Sequence, residues 1–480
     1  MANDGQSVER LRQYLRTLKP EARVMLVVAL ERGQLRGDAS VGNGLVLQEL
    51  RRTIRAEAQK VPRVADIAGL FFTPLEPFVT DDAVDRKYVG RIARASLAPI
   101  WGWIGRDLMP EETKALTDDI RRALLVDDQI KADQLVRALQ ERAIHRMKDA
   151  LAAVSSDEKA QRRLAIQVGT PRALDDVARI IDILEFRDVL ADLAWRLPNH
   201  IRAFDRDQID AVKAHLDCAV AAKPLDGVAP SRSDILLVYG LVMVANRLAT
   251  PWQLIRIATC AADSDDPSRI AATPYAAAVT VAFSELERIV GELRSEFRAG
   301  RPIASVLKDL HDAARALRTE LNLSVDSVWS RQLATIRSEV SGLLKSEIEI
   351  TPGRLRRLLS SRQAMDVVPG SLLNEVDVDD ADMGIDLVIA CRNYASELAL
   401  SESTSRVYAD LTQYLEVATK ALLESLRHAQ AADRPFRQSQ VDAAIRFCRT
   451  VYGGEYAGLL AKAAEVAVQA AASEHKSIRA

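Results

Sequence analysis

The chain has 480 residues, a formal net charge of −2, 48% hydrophobic residues and only 5% aromatic ones. So even a charge balance supplies no global field for nucleic acid or an anionic membrane surface, and neither is expected as a partner. The length allows one large domain or several ordinary ones, each with a sizeable core. No uncharged run reaches the roughly 18–20 residues that a membrane-spanning helix needs. The polar start, Met1-Ala2-Asn3-Asp4-Gly5, lacks the apolar region of a signal peptide. Cys218, Cys260, Cys391 and Cys448 lie far apart and form no CxxC pair, which fits reduced thiols in a cytoplasmic protein. Arginine outnumbers lysine, a bias that a GC-rich bacterial genome would produce. Ala, Leu, Arg and Glu are prominent and β-branched or aromatic runs are scarce, so helix is favoured over sheet.

Taken in order, the chain reads as one amphipathic helix after another. Val8, Leu11, Leu15 and Leu18 form a stripe that stops before Pro20, and a second helix runs from there through Leu30. Gly37-Asp38-Ala39-Ser40-Val41-Gly42 has the glycine spacing of a phosphate-binding loop. Asn43-Gly44 stands where Lys and Ser/Thr would have to meet the phosphates and Mg²⁺, so that reading fails. Leu47, Leu50, Ile54, Ala58 and Val61 make a third stripe.

Residues 71–103 differ from the rest. Phe71, Phe72, Phe78, Tyr88, Trp101 and Trp103 crowd into a stretch broken by Pro74, Pro77 and Pro99. Such a cluster is either a local aromatic core beneath an irregular loop or a surface for a partner, since Trp and Tyr anchor interfaces. Helix stripes do not call for aromatics here, so Phe71, Phe72, Phe78, Trp101 and Trp103 are the candidate partner-binding residues.

From Pro110 to Val154 long helices return, with a break near Val126-Asp127-Asp128. Ser155-Ser156-Asp157-Glu158 has the form of a capping box, and Thr170-Pro171 supplies an N-cap and an N1 proline. The same Thr-Pro pair at 250–251, 273–274 and 351–352 predicts three more helix starts. Residues 231–349 form the centre of the chain. The apolar segment Ile235–Val244 predicts a helix buried on most sides. It is followed by three stripes: Val279, Phe283, Leu286, Val290, Leu293, Phe297; then Ile303, Leu307, Leu310, Ala314, Leu317, Leu321; then Val325, Trp329, Leu333, Ile336, Val340, Leu343. The joints Gly300-Arg301-Pro302 and Asn322-Leu323-Ser324 are short, which implies antiparallel neighbours in a bundle. Residues 361–384 read as an acidic linker. Its acids, between Glu375 and Asp386, are expected to lie against the upstream cluster Arg354, Arg356, Arg357 and Arg362. Helices return after it, with Val388, Cys391 and Leu398 on the first stripe, and Gly453-Gly454 precedes an Ala-rich closing helix.

The expected fold is therefore all-α, a multi-helix bundle or irregular helical array with little or no β-sheet. Its expected parts are an N-terminal helical region with the aromatic loop (1–109), a helical middle (110–230), a central bundle (231–360), the linker (361–384) and a C-terminal helical region (385–480).

Chemistry is sparse. None of the six histidines has the Glu-x-x-His spacing of di-iron bundles, and no His-Glu-x-x-His occurs. His215 and Cys218 share one helix face but make only half a metal site. The acidic stretch from Asp377 lacks the glycine and the closing glutamate of an EF-hand. The doublet His311-Asp312 resembles the metal-binding pair of all-helical HD-class phosphohydrolases, which add a distant His and Asp; no such partners can be assigned here. The expectation is a helical protein–protein interaction protein, a scaffold or adaptor without catalytic activity, cofactor or metal, whose partner is another protein or a second copy. The alternative is an all-helical metal-dependent hydrolase built around His311 and Asp312.

Overall fold

The computed structural model describes residues 66–81, 86–221, 231–323, 327–360, 370–398 and 400–478, with single positions at 26, 30, 46, 47 and 50. Among these residues there are seventeen α-helices and two strands of two residues each, so the all-α expectation holds. The helices begin with α1 (Ile67–Phe72), a 3-10 segment at Thr73–Phe78, strands β1 (Val79–Thr80) and β2 (Ile92–Ala93), and α2 (Arg94–Trp103). A π-helical turn, Ile104–Leu108, leads to α3 (Pro110–Leu125), α4 (Gln129–Val154), α5 (Glu158–Val168), α6 (Pro171–Arg196) and α7 (Arg206–Ala221). The centre holds α8 (Ser231–Ala245), a 3-10 turn at Pro251–Leu254, α9 (Ile255–Ala262), α10 (Pro267–Ala271), α11 (Ala276–Arg298), α12 (Ala304–Glu320) and α13 (Val328–Leu358). The chain closes with α14 (Glu375–Leu398), α15 (Ser401–Arg427), α16 (Arg434–Tyr452) and α17 (Gly454–Ile478).

Two compact units are distinguishable: Met1–Leu70 with Thr117–Leu135, and Phe71–Leu116 with Val136–Ala480. In the first, Asp127 takes a left-handed conformation (φ 57) in the turn after α3, and the Asp128 carboxylate accepts from the Lys131 amide to cap α4. Leu47 and Leu50 of the third N-terminal stripe are buried. The stripes before them, the Gly37–Gly42 loop and the 54–61 segment lie outside the described residues.

In the second unit, local chemistry explains most helix ends. Asp157, rather than Ser155, is the N-cap of α5 and accepts from the Lys159 amide. Thr170 caps α6 through the Ala173 amide, with Pro171 at the first position. Asp266 caps α10 in front of Pro267. Not every Thr-Pro pair starts a helix. Thr351-Pro352 lies inside α13, where the Thr351 hydroxyl donates to the Glu347 carbonyl. Apolar contacts on both sides of the pair keep the helix going where local preference would end it. The start of α13 also moves, with Ser327 as its N-cap.

The three central stripes bury much as their spacing requires. The whole α12 stripe from Ile303 to Leu321 is buried, and in α8 Leu236, Leu237, Tyr239 and Leu241–Val244 are all below one-tenth exposure. In α13 the stripe passes through Leu344 rather than Leu343. Packing continues across the expected boundaries: α6 meets both α7 and α8, while α13 meets both α14 and α15. The expected linker is shorter than predicted, because residues from Glu375 onward are already the first turns of α14. Positions 361–369 lie outside the described residues. From α13 to α17 a regular order emerges, in which α13 packs on α14 and α15, α14 on α15 and α16, and α15 on α16 and α17. That order makes a helical stack, each member held by its neighbour and its next neighbour. One crossing in it is close: a Cβ added at Gly384 of α14 would lie 2.7 Å from Thr351 Oγ1 of α13.

Where the first turn of α8 meets α6, Arg232 pairs with Glu185, which also accepts from Lys148 at 2.5 Å. The Arg232 guanidinium lies 5.2 Å from the centre of the Phe186 ring. Asp182 is half-buried beside this group, and burial pushes its carboxyl up from 3.8 to about 6. Arg232 and Lys148 pull it back, while Glu185 adds to the rise. A carboxyl with a raised folded-state pKa favours the folded state below its unfolded value and loses that contribution as pH rises through about 6. Asp182→Asn should therefore flatten the pH dependence of stability in that window. At neutral pH it should stabilise the protein by about 1 kcal/mol once solvent screening is allowed for. Chemical denaturation at several pH values checks this, and an unchanged slope in the variant counts against it.

Candidate functional site

The aromatic residues expected at a partner surface are mostly turned inward. Phe71 and Phe78 have no exposure, Phe72 has 4% and Trp103 has 2%; only Trp101 is half-buried. Phe71, Phe72 and Trp101 pack ring against ring with centroids 5.0–6.2 Å apart, and Phe78 meets Tyr239 of α8 edge-on at 5.2 Å. The buried Gln140 amide donates to the Phe71 carbonyl at 2.8 Å, so backbone polarity is satisfied inside the cluster. Of these five aromatics, a partner reaching the segment would meet only Trp101. The aromatics serve instead to pin a strap, residues 73–81 and 86–93, onto α6 and α8.

That strap builds the wall of a cleft of about 680 Å³, between it, the turn after α8 and one face of α11. Gly90 (φ +65) brings the chain so near α8 that a Cβ there would lie 2.8 Å from a Val242 methyl. The next residue, Arg91, is only 7% exposed and forms an ion pair with Glu285, itself 4% exposed, with Arg91 Nη2 2.5 Å from Oε1. Arg91 also donates from Nη1 to the Pro77 carbonyl at 3.2 Å and from Nη2 to Asn246 Oδ1 at 2.8 Å. The second Glu285 oxygen accepts from Arg288 Nε at 2.9 Å. Burial alone would raise the Glu285 carboxyl, but Arg91 and Arg288 outweigh it and hold the group below the usual range. Nearby, the Val89 amide donates to Ser284 Oγ, and Tyr88 packs on Gly291, where no larger residue would fit.

The mouth of the cleft carries Asp81, Glu292, Ser295 and Glu296. Asp81 is bonded by Arg94 at 2.5 Å, Glu296 by Arg301 at 2.7 Å, and Glu292 lies 3.6 Å from Arg288. The cleft is thus polar and charge-balanced. Its buried pair is already spent on joining the strap to α11, and no serine or cysteine nucleophile stands beside a histidine base in it. Periodicity marks this wall in the sequence, because Glu285, Arg288, Glu292 and Ser295 repeat at helical spacing opposite the apolar stripe of α11. Arg91, far away in the chain, carries no such mark.

The remaining candidates are not gathered into one place. The His311 ring stacks on Tyr394 of α14 with centroids 5.2 Å apart and its Nδ1 is buried without a hydrogen-bond partner; Asp312 accepts from Lys308 at 2.8 Å. Among the described residues no group of three or more His, Cys, Asp and Glu side chains is arranged to hold a metal. Cys391 and Cys448 are buried, which pushes both thiols up to about 12 and makes them poor nucleophiles. The acids of α14 do not meet the arginines of 354–357. Asp379 and Asp382 bond Arg446 of α16 at 2.6 Å each, while Arg354 pairs with Glu347 and Arg356 with Asp410. Arg362 lies outside the described residues.

One large apolar residue went unmarked by sequence. Trp195 near the end of α6 is 86% exposed. It stands two residues beyond the buried Leu193 and hence on the far side of the helix, so its position relative to the stripe was the available signal.

Glu285→Gln would leave Arg91 buried without its counter-charge, and urea unfolding should show a loss of about 3–5 kcal/mol. Replacing both partners together, as Arg91→Met with Glu285→Leu, should cost less than either single change; a larger cost would show that the pair stabilises beyond its own desolvation. Compared with models of protein families, with curated proteins and with solved structures, the chain matches none.

Proposed function

We propose that the protein is a helical scaffold or adaptor of the cytoplasm, acting through protein partners or a second copy of itself, with no catalytic step and no cofactor. The observation that supports this best is the stack α13–α17. In it each helix spends one face on its neighbours, and successive outer faces form a continuous surface of the kind stacked-helix proteins use for binding. Large apolar side chains remain on outward faces of the second unit, among them Trp195 at 86% exposure, Ile166 at 78% and Leu459 at 66%. Tryptophan is the residue that most often anchors an interface, which makes Trp195 the first contact to test. The docking role expected for the aromatic segment narrows to Trp101, the one member with an accessible edge.

Self-association is measured first, by sedimentation of the purified chain over a range of concentrations, and then association with proteins isolated on it. Trp195→Ala should weaken such association by about 2 kcal/mol or more while leaving the melting transition nearly unchanged. Association that survives unchanged in both Trp195→Ala and Trp101→Ala would remove these contacts from the reading.

A further inference from the structure

Two members of the arginine cluster, Arg356 and Arg357, together with Arg406 line a groove of about 890 Å³ between α13 and α15, alternate members of the stack. Two ion pairs cross between these helices, Arg406 with Glu349 and Arg356 with Asp410. The residue numbers on both helices rise together, so α13 and α15 run parallel and the groove follows their common direction. Arg356 is held firmly: its Nη2 meets both Asp410 oxygens, at 2.5 and 2.7 Å, and its guanidinium lies 5.7 Å from the Tyr414 ring centre. Arg406 is held loosely, 3.4 Å from Glu349, with both side chains well exposed. Arg357 is exposed and makes no ion pair among the described residues. Three guanidiniums therefore face two carboxylates, with one cation uncommitted and a second weakly committed.

The rest of the lining is mostly apolar, with Gln413 the polar exception. Ile350 is 48% exposed at the groove and supplies its apolar surface, while Pro352 and Val407 are buried beneath it. We propose that this groove binds a phosphate monoester, its dianion taken by Arg357 and Arg406 and its organic part lying on Ile350. The dianion carries about twice the charge of Glu349 and more acceptor oxygens, so it can draw Arg406 away from a 3.4 Å contact. Planar, fork-like donors suit phosphate better than lysine would. The apolar wall favours an ester over a bare inorganic anion. The ester can be a small molecule or a phosphorylated serine of another chain, and the chemistry of recognition is the same for both. This inference rests on the groove and not on Trp195.

The test is calorimetric titration of the full chain with phenyl phosphate, with a phosphoserine peptide and with inorganic sulfate. Saturable binding of either ester, with sulfate clearly weaker, is the expected result. Binding of both esters indicates that a small molecule suffices; binding of the peptide alone identifies a modified partner as the source. Arg357→Gln should weaken binding by about tenfold without moving the melting transition, since the side chain pairs with no carboxylate among the described residues. Glu349→Gln should strengthen binding, because it releases Arg406; a groove for cations would respond in the opposite sense. Absence of saturable binding to either ester overturns the proposal, as do sulfate binding of equal strength, indifference to Arg357→Gln, or weaker binding in Glu349→Gln.

Discussion

The arrangement of the second unit depends on one buried contact, Arg91 with Glu285. Two charges at 7% and 4% exposure cannot be there for net attraction alone, since desolvation consumes most of what the pairing returns. What the contact supplies is position. Arg91 reaches Glu285 only when Gly90 lies against Val242 and Val89 against Ser284, so a strap with only short regular pieces acquires a single place on α11. Arg86 extends the fastening by pairing with Glu339 of α13, which also holds Arg294 of α11. Apolar burial of Phe78 and Tyr88 would accept several registers; the ion pair with its flanking hydrogen bonds accepts one.

The same logic explains why charge on this chain is so evenly distributed. Many exposed carboxylates of the second unit pair with an arginine, and several of these pairs link different helices, as Arg137 links to Asp188 and Arg256 to Glu320. Exposed pairs of this kind stabilise little individually, but across a stack they discourage neighbouring helices from sliding past one another. Some arginines stand outside this pattern, Arg357 at the groove among them.

How far the sequence could be read follows from what each signal measures. Stripes report one face of one helix, and they located α11 and α12 well; α8, buried on nearly every side, was marked instead by a continuous apolar run. They failed at Trp195, where the relevant fact is the face a residue avoids. Capping signals worked at Thr170 but not at Thr351, because packing on both sides of Pro352 overrides a local preference to stop. Composition alone made 375–384 look like a linker, since five acids without a base resemble solvated coil; Arg446, more than sixty residues later, supplies the counter-charge that lets them be helical. Likewise, aromatic crowding at 71–103 was visible, but whether the rings face in or out depends on α6 and α8, which no local pattern reveals. The cleft and the groove were beyond reach for the same reason: each is made of segments that meet only in three dimensions.

The crossing of α14 over α13 at Gly384 and Thr351 has a consequence for the groove beside it. Thr351 directly precedes Pro352, which lines that groove, so the height at which α14 rests on α13 also bears on how the helix presents its next turn. A helix spacing set by a leucine can be adjusted by degrees, through isoleucine, valine or alanine. Here the spacer is a hydrogen atom. Every natural replacement is larger, and even one methyl group would fall 2.7 Å from the threonine oxygen. The spacing can therefore be widened by a single substitution but never narrowed, which makes position 384 a one-way gauge for the two helices.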